Sequence, residues 1–132
     1  MDLLSKKLSH HFLDAFGDTD IEYLSKISPQ GLEHSCVVSS NSSLAEILGI
    51  DDNYLDNPDT LEMFSGNFVP SSVKPIALVY SGHQFGVWAG QLGDGRAMTL
   101  GEIDVSGELW DIQLKGSGTT PYSRFADGRA VL

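Results

Sequence analysis

Apolar side chains repeat at helical spacing near the start of the chain. Four of them recur at every fourth position, which places them along one stripe of an α-helix. A stripe of this kind is typical of a face that packs against a core, so it predicts an N-terminal helix and no chemistry. The four residues are Leu4, Leu8, Phe12 and Phe16.

Two shorter helices are predicted further along the chain. The segment Ser43–Glu46 matches the capping box, in which a hydroxyl and a carboxylate satisfy backbone N–H groups, and it predicts a helix over 44–48. Another helix is predicted to begin near Pro58 and to end at Gly66. Residues 1–75 are therefore interpreted as an extension of helices and loops.

The second half of the chain changes to the two-residue period of β-strands. A short apolar run at 76–80 predicts one strand, and a second strand is predicted at about 83–89. Segments 97–103 and 108–115 flank a turn signal at 105–107, which predicts a β-hairpin. The fold class predicted is α+β, a helical extension followed by a small antiparallel sheet over 76–132.

The last predicted strand has an apolar face and a polar face. Because side chains alternate along a strand, Trp110, Ile112 and Leu114 share one face, and Lys115 ends the strand on the other. Trp110 and Trp88 are both predicted to be core aromatic residues.

Segment Gly90–Arg96 is rich in glycine and precedes the first strand of the hairpin. Glycine lets backbone N–H groups approach phosphate oxygens, and it permits the positive φ angles of an anion-binding nest. The order strand, glycine-rich loop, strand, tight turn and strand ending in lysine is that of a protein-kinase N-lobe. Lys115 is then the candidate phosphate clamp. Periodicity alone favours the commoner alternative, a glycine-rich hairpin with a solvated lysine.

Other nucleotide-binding motifs are incomplete. Gly93–Met98 lacks the third glycine of a dinucleotide-binding fold, and no Gly-Lys-Ser/Thr occurs for a P-loop. His83 has no identifiable partner for acid–base work and is interpreted as structural. Arg124 and Arg129 suit either phosphate binding or surface ion pairs, and the sequence leaves both open.

Composition narrows the class of protein. The 132 residues suit one domain or part of one, and no apolar run approaches the roughly 20 residues of a membrane span. A formal charge of −10 disfavours nucleic-acid binding, whereas local cations can still hold a small anionic ligand. Cys36 is the single cysteine, and the four histidines show no metal-ligand spacing. No targeting signal is recognisable, so a cytoplasmic protein is expected.

Two long ordered stretches, Tyr80–Ala97 and Gln113–Leu132, closely resemble the selenoprotein O family. The resemblance implies a protein-kinase-like fold that binds ATP in an inverted orientation. It further implies transfer of AMP, rather than phosphate, from ATP to Ser, Thr or Tyr hydroxyls of target proteins. Carried over position by position, the ATP contacts of the family fall on Gly93, Gly95, Arg96, Lys115, Asp127 and Gly128.

The resemblance also implies what these residues do not contain. The catalytic Asp, the Glu partner of the lysine and the ligands of Mg²⁺ or Mn²⁺ are expected beyond residue 132, so the 132 residues alone are expected to transfer no AMP. Surface left uncovered in a partial lobe makes dimerisation a fair expectation. Two rival functions stay open, a non-catalytic ATP-binding pseudokinase scaffold and a ligand-free protein-interaction module.

Overall fold

A computed structural model describes residues 4–16, 23–51, 54 and 56–130. Within these ranges the chain is α+β, a five-stranded antiparallel sheet with three short helices. The helices are α1 His11–Phe16, α2 Ser42–Ile47 and α3 Pro58–Phe64. The strands are β1 Leu24–Lys26, β2 Ile76–Gln84, β3 Val87–Gly93, β4 Ala97–Val105 and β5 Glu108–Lys115.

Strand β2 organises the sheet because three strands pair with it. Strand β1 pairs with its first residues, with Leu24 opposite Leu78. The edge of β2 that faces away from β1 is occupied by β3, with Gly93 opposite Val79, and then by β4, which pairs through Ile76. Strand β5 follows on the outer side of β4. Thus β3 and β4 run one after the other along a single edge of β2.

The glycine-rich segment therefore differs from the loop that the sequence predicted. Strands β3 and β4 do not pair with each other. Residues 93–96 form a bend between them, and both strands pair with β2. A tight turn at Phe85–Gly86, where φ is +55° and +78°, joins β2 to β3, so the single strand predicted at 83–89 is wrong. The predicted strand at 76–80 is real but extends to Gln84.

The predicted hairpin of β4 and β5 is confirmed. Its strands pair from Val105 opposite Glu108 to Ala97 opposite Lys115. The alternation is also as predicted, because Leu114 is buried and Lys115 is exposed. The two tryptophans are not core residues, however, since Trp88 is 63% exposed and Trp110 is 37% exposed.

The main core draws on both halves of the chain. Apolar side chains from the N-terminal turn and from α3 pack against the β4–β5 face of the sheet. Its buried members are Leu4, Met63, Val73, Leu100, Ile103 and Leu114. A smaller cluster joins α1 to β1 and β2 through Leu13, Leu24 and Ile76. Strand β1 was not predicted, because Leu24–Lys26 is too short to show a period.

The N-terminal helix is shorter than the apolar repeat predicted. Residues 4–7 form a turn rather than a helix, Ser9 forms an antiparallel bridge with Glu102, and α1 begins only at His11. The carboxylate of Glu102 accepts hydrogen bonds from the N–H groups of His11 and Phe12, both at 3.0 Å. A buried acid on β4 thus starts the helix, which sequence spacing along α1 does not reveal.

The other two helices are close to the predicted positions. Helix α2 begins two residues earlier than the capping box implies, because its cap is Asn41 rather than Ser43. The Asn41 side chain accepts a hydrogen bond from the N–H of Leu44. Helix α3 has Pro58 in its first turn, as predicted, with Asn57 as its cap. None of the helices in the described ranges is long and apolar enough to cross a membrane.

Candidate nucleotide-binding site

The structure brings the predicted loop and the predicted lysine to one end of the sheet. Lys115 ends β5 directly opposite Ala97, the first residue of β4. The residue before β4 and the residue after β5 are also joined, because the N–H of Gly116 donates to the carbonyl of Arg96 at 2.7 Å. Arg96 and Lys115 are both exposed. Two cationic side chains therefore originate from adjacent positions on neighbouring strands.

The bend between β3 and β4 is fixed to β2 by Asp94. Its N–H donates to the carbonyl of Leu78 at 2.9 Å, and its carboxylate accepts from the N–H of the same residue at 2.9 Å. The side chain thus takes the place of the missing backbone partner where the strand path bends. This role was not predicted from the sequence, where Asp94 was treated only as part of the glycine-rich segment.

The glycines of the bend serve close packing rather than positive φ. Gly90 of the glycine-rich segment has φ of +67°, but neither Gly93 nor Gly95 has a positive φ, so these two do not form the expected nest. The N–H groups of Asp94 and Gly95 are already donated, to Leu78 and to the carbonyl of Gly93. The cationic side chains, not these two amides, are the groups of the bend that remain for an anion.

The close packing comes from the Tyr122 side chain. A Cβ built on Gly93 would lie 2.6 Å from Cγ of Tyr122, and one on Gly95 would lie 3.0 Å from the Tyr122 carbonyl oxygen. Such distances are far inside van der Waals contact, so only glycine fits at Gly93 without movement of the ring. The Tyr122 hydroxyl is hydrogen-bonded to that of Ser25 at 2.9 Å, which ties the ring to β1.

Two hydroxyl groups hold the carbonyls of the bend. The Thr120 hydroxyl donates to the carbonyl of Asp94 at 2.6 Å, and the Ser123 hydroxyl donates to that of Gly95. Sequence reasoning did not single out either residue. A signal existed, because Thr-Pro-Tyr-Ser over 120–123 has Pro at the second position of a turn and hydroxyl residues at both ends.

The remaining two predicted residues lie in a segment that folds back on the end of β5. Ser117 bridges to Arg129, and the N–H of Gly118 donates to the carbonyl of Gly128 at 3.2 Å. Gly128 has φ of +72°, and a Cβ there would overlap the carbonyl of Gly118. Asp127 is exposed, and its carboxylate accepts from the N–H of Arg129 at 2.9 Å.

The Arg129 side chain is bonded to backbone carbonyls within the part of the chain that the structure describes. Its guanidinium donates to the carbonyls of Gln30 at 2.7 Å and Gly31 at 3.2 Å. It thereby ties the segment after β5 to the segment after β1. Arg124, in contrast, is exposed and has φ of +58°.

Charge is distributed unevenly along the β4–β5 region. Residues 96–129 contain four of the eight Lys and Arg of the chain but only five of the eighteen Asp and Glu. Of those acids, Asp104 and Glu108 lie at the turn end of the hairpin, opposite Leu109 and Val105. The end that carries Arg96, Lys115 and Arg129 also carries Asp94 and Asp127, so its local charge is less negative than the net charge of −10 suggests.

Comparison with known proteins defines the class. The family model described as Protein adenylyltransferase SelO matches residues 6–132. The chain belongs to this family.

Curated relatives are bacterial proteins named Protein nucleotidyltransferase YdiU. The one from Cupriavidus pinatubonensis is 48% identical over 120 residues, which are 91% of this chain and 23% of the relative. The one from Dechloromonas aromatica is 46% identical over 121 residues, 92% of this chain and 24% of the relative. The one from Cupriavidus metallidurans is 51% identical over 114 residues, which are 83% of this chain and 21% of the relative. The chain thus spans about a quarter of the length of these relatives.

Proposed function

We propose that this chain is the ATP-binding N-terminal part of a protein adenylyltransferase. The whole enzyme moves AMP from ATP to Ser, Thr or Tyr hydroxyls of proteins, with the nucleotide inverted in a kinase-like fold. Family membership and the names of the relatives support a nucleotidyltransferase. The finer statements, on ATP, on AMP transfer and on the acceptor hydroxyls, rest on the resemblance described above.

One observation carries the nucleotide-binding part of the proposal. Arg96 and Lys115 lie at adjacent backbone positions where β4 begins and β5 ends, next to the bend that Asp94 holds. Two exposed cations at adjacent positions can divide the charge of a polyphosphate between them. Asp127 and Gly128 belong to the same end through the fold-back segment, and they complete the proposed set with Gly93 and Gly95.

The metal ion of the reaction is proposed to bind outside these residues. The only carboxylates of the proposed set and its bend are those of Asp94 and Asp127, and each already accepts a backbone N–H. No group of three His, Cys, Asp or Glu side chains that fits a metal ion occurs in the part of the chain that the structure describes. Mg²⁺ or Mn²⁺ would neutralise phosphate charge when bound.

Binding is tested first on the 132-residue chain. Titration calorimetry with ATP should show binding, and Lys115→Ala should weaken it about tenfold, as expected for loss of one charged contact. Lys6→Ala is the matched control, because Lys6 is also exposed but lies on the N-terminal turn. That turn is next to the bridge of Ser9 with Glu102 and not next to the start of β4. Equal effects of the two substitutions would count against the clamp. Lack of ATP binding by both this chain and the exchange protein described below would overturn the proposal.

AMP transfer is tested in a chimeric protein, called the exchange protein below. This is the Cupriavidus pinatubonensis relative with its matching stretch replaced by that of this chain, which is 48% identical to it. With labelled ATP, Mg²⁺ and a protein acceptor, the exchange protein should label the acceptor, and its Lys115→Ala variant should not. The 132 residues alone should give no label. ATP binding without transfer by a folded exchange protein would favour a pseudokinase scaffold instead.

A further inference from the structure

The hydroxyl groups of Thr120 and Ser123 are committed to the bend. Both residues are at most 9% exposed, so their hydroxyls have little access to water. Each accepts a hydrogen bond from its own turn, Ser123 from the N–H of Thr120 at 2.7 Å and Thr120 from the N–H of Tyr122 at 3.1 Å. A hydroxyl has one proton, and here each proton goes to a carbonyl of the bend.

These two bonds settle which way the peptide units of the bend face. A carbonyl oxygen carries partial negative charge, so one that turned toward a phosphate would repel it. The hydroxyls hold the carbonyls of Asp94 and Gly95 against the 120–123 turn, and the peptide that follows Gly95 leads directly into Arg96. The direction of the Arg96 side chain therefore depends on these contacts.

The same turn links the bend to the rest of the candidate site. It lies within the segment that leaves β5 after Lys115 and returns at Gly128, where it is hydrogen-bonded to Gly118. The bend, the strand end and the fold-back segment are thus parts of one hydrogen-bonded unit. A change in the turn is transmitted to residues from all three parts.

We propose that Thr120 and Ser123 are positioning residues for nucleotide binding, and that their hydroxyls hold the backbone of the bend that carries Arg96 beside the end of β5 that carries Lys115. This inference rests on the proposed function. Neither residue needs to touch the nucleotide. The effect is on the affinity for ATP, because a bend that samples other conformations must be ordered before it binds.

Three substitutions separate the hydroxyl from the rest of the side chain. Thr120→Val removes the hydroxyl and keeps the branched shape, Thr120→Ser keeps the hydroxyl, and Ser123→Ala removes one oxygen. Thr120→Val and Ser123→Ala should each raise the Kd for ATP about fivefold, near the effect of one hydrogen bond. Thr120→Ser should stay within about twofold of the unsubstituted chain.

Ser9→Ala is the matched control. The Ser9 hydroxyl also donates to a carbonyl of β4, that of Glu102 at 3.0 Å, but far from the bend. Ser9→Ala should leave the Kd for ATP unchanged. Hydrogen exchange provides a readout that does not depend on ATP, because the Gly95 amide should exchange faster in Thr120→Val and Ser123→Ala, and not in Ser9→Ala.

Kinetics of the exchange protein distinguish positioning from simple loss of folded protein. Positioning predicts that the KM for ATP rises about fivefold in Ser123→Ala while kcat stays within about twofold. A merely structural defect would lower the apparent kcat and leave the KM unchanged. Should Thr120→Val fail to fold, Ser123→Ala decides the question, since it removes a single atom from the turn.

The results separate the two proposals. If Lys115→Ala loses ATP affinity but Ser123→Ala and a folded Thr120→Val do not, the positioning role is wrong and the proposed function stands. If Thr120→Ser is as weak as Thr120→Val, the hydroxyl is not responsible and the inference is also overturned. If the unsubstituted chain and the exchange protein both fail to bind ATP, both proposals fail.

Discussion

The carboxylate of Asp94 accepts a hydrogen bond from the backbone N–H of Leu78, at 2.9 Å, while the N–H of Asp94 donates to the carbonyl of Leu78. One residue thus satisfies both backbone groups of its neighbour on β2. This pair is what allows the strand path to bend at 93–96 without leaving unpaired groups on β2. The bend is therefore built into the sheet and is not a free loop.

We expect Asp94→Ala to loosen the bend and Asp94→Asn to preserve it. Alanine leaves the N–H of Leu78 without its acceptor, whereas the amide oxygen of asparagine can still accept. Hydrogen exchange followed by mass spectrometry should show faster exchange at Leu78 in Asp94→Ala only. The same fast exchange in Asp94→Asn would mean that the negative charge, not the acceptor geometry, holds the bend.

The glycine at position 93 is predicted to be required for packing. Gly93→Ala would place a methyl group 2.6 Å from the Tyr122 ring, so the ring must move and its hydrogen bond to Ser25 is lost. The free energy of unfolding should fall by about 1–3 kcal/mol. Denaturant unfolding measures it.

Gly82→Ala is the control for Gly93→Ala. At Gly82 a Cβ would meet only the end of the flexible Leu92 side chain, at 3.2 Å, and φ is not positive. Gly82→Ala should lower the free energy of unfolding by less than Gly93→Ala does. Equal losses for the two variants would show that lost backbone freedom, rather than contact with Tyr122, makes glycine necessary.

Arg129 is predicted to act on stability. Its guanidinium binds the carbonyls of Gln30 and Gly31, so Arg129→Ala should lower the free energy of unfolding by about 1–3 kcal/mol, as for hydrogen bonds from a charged donor. Arg124→Ala is the control, because Arg124 is exposed, and it should change stability by less than about 0.5 kcal/mol. Thermal unfolding of both variants tests this, and equal stabilities would contradict the bracing role.

The sequence predicted elements whose causes are local, and the site only in part. The β4–β5 hairpin follows from alternation and a turn signal, and α3 follows from Pro58, so both were predicted. The turn at Phe85–Gly86 was missed because a bulky residue with positive φ is uncommon in a turn of this type. The loop predicted over Gly90–Arg96 is shorter in the structure, because Gly90–Gly93 belong to β3 and only residues 94–96 lie between the two strands.

Long-range contacts account for what could not be predicted. The hydroxyls of Thr120 and Ser123 reach residues 26 and 28 positions away, and no spacing rule connects them to Asp94 or Gly95. The start of α1 depends on Glu102, 91 positions from His11. Partners at such separations are set by the pairing of strands, so they become visible only in the folded chain.

Glu102 is predicted to stabilise the N-terminal region as a remote helix cap. It is 4% exposed, and its two carboxylate oxygens accept from the N–H groups of His11 and Phe12. Glu102→Ala leaves both donors without their partner and should lower the free energy of unfolding by about 1–3 kcal/mol. Glu108→Ala, at an exposed position of β5, is the control and should be nearly neutral.

Circular dichroism during denaturation measures the Glu102 effect. Glutamine keeps one acceptor oxygen, so Glu102→Gln should fall between the unsubstituted chain and Glu102→Ala. If alanine and glutamine are both neutral, the contacts to α1 do not contribute to stability.

Thr60 offers a substitution that should stabilise the chain. Its side chain is fully buried in α3, and its hydroxyl has no hydrogen-bond partner among the residues that the structure describes. Thr60→Val exchanges that hydroxyl for a methyl group, so the free energy of unfolding should rise by about 1 kcal/mol. Thr60→Ser keeps the hydroxyl and loses the methyl group, so it should be destabilising. A loss of stability in Thr60→Val, measured by the same denaturant titration, would show that the hydroxyl is bonded in solution.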